Sequence, residues 1–249
     1  MLQLIQCEYK KLKRSKFILI GISGTQIVPF LVIIKTVAAY FSNPKMNISL
    51  FSLYDSAIMF LMLLFAPILL TILSTWVIVR EYMDGTLKNI FAVPISPTAF
   101  LTGKLLFLLI IALLFMFASW LEIILLAFLC SCFILITELT IPSALFFLIK
   151  MLWGGLLLYA VQMPFLYLSI RTRGFAAPLI AVAAVSLVNV VVSNSAIAGF
   201  YPWSLSYLLT IGRLSGLQCS KGISIGIILL VGLLGMTAGL IRFWKENLL

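Results

Sequence analysis

Residues 80–104, REYMDGTLKNIFAVPISPTAFLTGK, form the largest polar stretch after the N-terminus in a chain that is 63% hydrophobic. Its residue types suit docking rather than bond-making. Asp84 or Thr86 can cap a short helix by accepting from the free N–H groups of the first turn. Gly85 allows a sharp turn or close approach by a partner. Leu87, Ile90 and Phe91 then offer an apolar face at i, i+3 and i+4. Pro94 breaks that helix, and Ser96 with Pro97 makes an N-cap and N1 pair for the next one. The segment reads as a docking handle for a cytoplasmic partner or as an ordinary polar loop, and composition alone does not choose between them.

Bond-making chemistry is poorly supplied elsewhere. The chain has no histidine, which removes zinc-protease motifs and Ser-His or Cys-His relays. There is no G-x-x-x-x-G-K-[ST] phosphate loop, because Gly103 and Lys104 are followed by Leu105 and position 98 is Thr. Any ATP must therefore be bound by another polypeptide. Cys7, Cys130, Cys132 and Cys219 are scattered and build no disulfide framework. Cys130 and Cys132 read as small apolar packing residues. Two charges, Glu122 and Lys150, fall inside apolar runs, where a charge costs a few kcal/mol and usually pairs or lines water. Counting ~1.5 Å per residue puts Glu122 ~16 Å and Lys150 ~9 Å from the outer surface, within reach of a flexible lysine. They are candidates for a substrate path or for a structural ion pair; alternatively Lys150 snorkels outward.

The elements that must hold these residues are membrane spans. Only 10% of the 249 residues are charged, against about 25% in a soluble domain, and the mean hydropathy is +1.23. Apolar runs of span length lie at about 17–41, 57–79, 105–133, 144–169, 175–193 and 223–243, giving an all-α membrane domain of six spans. Twelve of the 17 Lys and Arg fall on one side if the chain crosses at each run, so both termini and residues 80–104 are expected in the cytoplasm. The net charge of +10 therefore lies at span ends and does not form a nucleic-acid groove. Residues 1–16 read as an uncleaved amphipathic helix with Leu2, Ile5, Tyr9 and Leu12 on one face, lying in the headgroup layer. Residues 194–222 read as a short re-entrant or interfacial helical segment outside. Pro29, Pro67, Pro164 and Pro178 are expected to kink their spans. Gly222, Gly226, Gly235 and Gly239 have the spacing of close helix packing.

The run Glu81, Asp84, Gly85, Thr86 and Leu87, with Pro94, Ile95, Ser96 and Lys104, resembles the signature of the type-2 ABC exporter permeases. The basic opening from Glu8 to Lys16 is similar to the start of lantibiotic-immunity and bacitracin-resistance permeases of that group. The resemblance implies a half-transporter that pairs with a second copy or a sister permease over two ABC ATPase subunits. ATP and Mg²⁺ would sit on those subunits, and this chain would carry no cofactor or metal and act as no enzyme. Glu81, Asp84, Gly85, Thr86, Leu87 and Ile90 would form the coupling helix against the ATPase. The implied cargo is an amphipathic antimicrobial peptide drawn from the plasma membrane, with lipids or drugs as the alternative. An ion-coupled secondary transporter is the alternative of another class, but it wants paired intramembrane acids, and Glu122 stands alone at depth.

Overall fold

A computed structural model describes residues 2–13, 17–43, 47–85, 96–216 and 220–246, without the side chains of 2, 3, 17–20, 22, 196, 215, 216 and 246. The protein is an all-α integral membrane protein. Its helices are α1 (Leu2–Lys13), α2 (Phe17–Ser42), α3 (Leu50–Phe60), α4 (Ala66–Met83), α5 (Pro97–Ser131), α6 (Ile141–Val161), α7 (Met163–Thr172), α8 (Ala176–Val192), α9 (Pro202–Ile211) and α10 (Lys221–Glu246). Among the described residues, five continuous stretches are long and apolar enough to cross a bilayer, namely 23–42, 50–83, 97–131, 141–172 and 221–245, and α8 is a shorter apolar sixth. With 35 residues, α5 spans about 52 Å, longer than a bilayer with its headgroups, so it tilts or projects.

The expected 57–79 span is part of a longer rod. α3 starts at Leu50 behind an N-cap at Ser49, whose hydroxyl accepts from the Ser52 N–H at 3.2 Å. It joins α4 through one π-helical stretch, Leu61–Phe65. Pro67 explains that stretch: it has no N–H for the carbonyl four residues back, Leu63. The Asn189 amide of α8 donates to that carbonyl instead, at 3.3 Å. The next proline break is sharper. α6 ends at Val161 and α7 restarts before Pro164. α10 packs into this break: a Cβ on Gly235 would stand 2.6 Å from the Met163 and Pro164 backbone, and one on Gly232 would stand 2.9 Å from the Ala160 carbonyl oxygen. Gly226, by contrast, faces open space, so the expected close packing falls on Gly232 and Gly235.

Two short β-strands interrupt the helical fold: β1 (Ile48–Ser49) and β2 (Ile136–Thr137) pair in parallel, Ile48 opposite Ile136. They tie the loop before α3 to the loop after α5. In the 194–222 segment α9 is a short helix with Ser204–Leu208 and Thr210 buried, packed against α6, α8 and α10. Cys132 is exposed at the end of α5 and is no packing residue. Cys219 lies outside the described residues.

Candidate functional site

α4 runs to its C-cap at Asp84 with Val77 and Glu81 on its buried side. Ser96 caps α5 by accepting from the Ala99 N–H at 3.2 Å, as the Ser-Pro pair predicts. Two turns further on, Lys104 points to α4 and is 2% exposed. Its ammonium donates to the Val77 carbonyl at 2.8 Å, to Glu8 Oε1 at 3.0 Å and to Glu81 Oε1 at 3.2 Å. Three donors meet three acceptors, which is all an ammonium can offer. Glu8 comes from α1, and Lys11, one turn along, reaches Glu81 Oε1 at 2.6 Å and Glu8 Oε1 at 3.6 Å. Among the described residues, two carboxylates and two ammoniums thus close into a charge-balanced cluster that joins α1, α4 and α5. Gly103 allows the approach: a Cβ there would sit 3.2 Å from Leu4 of α1. Partial burial pulls the Lys11 pKa down, but the hydrogen bond to Glu81 and the charges of Glu8 and Glu81 outweigh it, so the ammonium is held above its ordinary value.

This placement gives Glu81 a positioning role rather than a docking contact. As a member of the implied coupling segment Glu81 is expected to hold that segment by a cap or a salt bridge; it is 4% exposed and turned into the cluster, ion-paired with Lys104 and Lys11. Reading along the chain finds Glu81 and Lys104 as motif members. It misses Glu8 and Lys11 as their partners, although the i, i+3 acid–base spacing on an amphipathic helix was a usable signal.

Asp84 and Gly85 do face outward. Asp84 closes α4 and accepts from Arg80 Nε at 3.2 Å, so in the described residues it ends a helix and does not begin one. Arg80 also stacks 5.1 Å from the Trp76 ring. Gly85 has φ +62°, the left-handed region that glycine enters without strain, and no atom of the described residues lies within 4 Å of a Cβ built there. Thr86, Leu87 and Ile90 lie outside the described residues.

The intramembrane pair does not form. Glu122 and Lys150 make no salt bridge among the described residues; the Lys150 ammonium lies 4.8 Å over the Phe146 ring and 5.3 Å over Phe147. Glu122 Oε2 is buried without a hydrogen-bond partner among the described residues. Depth along two antiparallel helices puts the charges within reach, but Lys150 is drawn to the aromatic faces beside it, where Phe147 stacks on Tyr54 at 4.4 Å. Polar side chains do meet deeper in the bundle: Thr71 with Gln162 at 3.4 Å and Thr75 with Ser169 at 2.8 Å bind α4 to the α6–α7 break and to α7.

Among known proteins, residues 4–193 match the family described as ABC-2 family transporter protein. The bacitracin transport permease protein BCRB of Bacillus licheniformis is 22% identical over 169 residues, which cover 68% of this chain and 79% of that protein. No solved structure matches.

Proposed function

Because the chain belongs to the ABC-2 family of transporter proteins and is a multi-pass plasma-membrane permease subunit of an ABC transporter, we propose that it moves an amphipathic antimicrobial peptide of the bacitracin or lantibiotic class. Its partners in this reading are ABC ATPase subunits, which hold ATP and Mg²⁺, and a second copy or sister permease. The observation that supports the cargo is the similarity to the bacitracin permease. Support for the coupling route comes from the buried cluster. A push on the segment after Asp84 would reach Glu81 one turn earlier, and from there Lys104 on α5 and Glu8 on α1 through the buried ion pairs. The three helices then rock as one body when the ATPases close. Export of lipids or drugs is the second reading, favoured by the apolar groove of about 430 Å³ between α5, the α6–α7 segment and α10.

The test uses position 85. Gly85→Trp places bulk on the exposed turn, while Gly85→Asn keeps the left-handed conformation with little bulk. Both variants should reach the membrane in normal amounts. The Trp variant should bind the ATPase about 30-fold more weakly, the loss of one ~2 kcal/mol contact, and should leave cells sensitive to bacitracin. The Asn variant should behave as wild type. Normal ATPase pull-down and normal protection in Gly85→Trp would reject the coupling role.

A further inference from the structure

An apolar groove of about 460 Å³ opens beside α1. α5 lines it from Phe107 to Ala118, and α1 closes its lower end with Ile5, Gln6, Tyr9 and Leu12. The rise from Phe107 to Ala118 is about 16 Å, close to half of a ~30 Å hydrocarbon core. The groove is one leaflet deep and narrow, the dimensions of a single hydrocarbon chain.

What stands at its mouth selects the occupant. On α1 the residues Gln6, Tyr9 and Lys13 recur at i, i+3 and i+7, with Lys10 one position beyond Tyr9. Helical phase therefore puts Lys13 on the groove side and Lys10 at its edge, while Glu8 and Lys11 turn toward the ion cluster. Lys10 and Lys13 are exposed and make no ion pair among the described residues. Exposed ammoniums over a one-leaflet apolar slot match a ligand with an anionic head and an apolar tail. They would repel a cationic one. The cluster holds α1 against α4 and α5, so the slot keeps its shape when empty.

We propose that this groove is a binding site for one acyl chain of an anionic phospholipid, with Lys10 and Lys13 engaging its phosphate. The site is independent of the transported cargo. A lysine near an anionic headgroup contributes roughly five-fold in affinity, so two give about a 30-fold preference over a zwitterionic lipid.

The test is native mass spectrometry of the full chain released from nanodiscs of phosphatidylglycerol or of phosphatidylcholine. The wild type should retain one phosphatidylglycerol with about 30-fold preference. The Lys10→Gln, Lys13→Gln double variant should hold the two lipids about equally, at an unchanged melting temperature in detergent. Ala118→Phe, which fills the upper end of the slot, should lose both lipids; if it does not fold, the lysine variant decides alone. Equal retention of the two lipids by wild type, or an undiminished preference in the lysine variant, would overturn the site. Displacement of the retained lipid by stoichiometric bacitracin would assign the groove to cargo and overturn it as well.

Discussion

Lys104 has every ammonium hydrogen committed, and that makes it costly to remove. Lys104→Met leaves Glu8 and Glu81 facing each other in a buried site, with Lys11 as the ammonium that remains among the described residues, and a broken buried pair typically costs ~3–5 kcal/mol. Adding Glu8→Leu restores neutrality, because Glu81 and Lys11 remain as a pair 2.6 Å apart. Thermal unfolding of the purified chain should therefore show the double variant to be more stable than Lys104→Met alone. Additive losses would mean the two residues are not coupled. Part of this site was legible from residue types: Glu81 and Lys104 stood out as the acid and base flanking the polar stretch. That Glu8 completes it was not, because the partner lies 96 positions away and helical periodicity says which face of a helix is apolar, not which helix it meets. The same limit applies to Glu122 and Lys150: depth along two helices brings them within reach, but Lys150 lies over the Phe146 and Phe147 rings instead.

Helix ends were the most legible elements, since a cap acts over three residues; Ser96 and Pro97 open α5 as their types require. Breaks within spans were less so. Pro67 and Pro164 announce a disturbance, but whether it becomes a π-helical stretch or a restart depends on what can reach the freed carbonyl. At Leu63 it is Asn189, and at Ala160 it is the side-chain-free surface of α10. Glycine spacing was equally ambiguous until the partner helix was known. Gly235→Ala drives a methyl into the backbone of the α6–α7 break and should lower stability by ~1–3 kcal/mol. Gly226→Ala faces open space, removes backbone freedom and should be neutral or stabilising by up to ~1 kcal/mol. Melting temperatures of the two variants, measured side by side, check both. A larger loss at 226 would place an unseen neighbour on that face.

For the whole molecule the charge bias makes the sidedness testable. Single cysteines placed at 88 and 246 should resist a membrane-impermeant thiol reagent added to intact cells, and those at 45 and 218 should react, in a background where the native cysteines are serine. Reaction at 88 would invert the arrangement and remove the ATPase-facing role of the polar stretch. The ion cluster also has a consequence for how the chain is made. Glu8 leaves the ribosome early, yet its buried partner Lys104 follows 96 residues later. At ~5–20 residues per second of synthesis, α1 waits roughly 5–20 s before it can dock. During that interval Glu81 too lacks its α5 partner, so the first two spans are inserted with the α1–α4 junction unfinished. The emergence of α5 is thus the event that locks the N-terminus in place, and a nascent chain halted before residue 104 should leave α1 open to protease while one halted well after it should not.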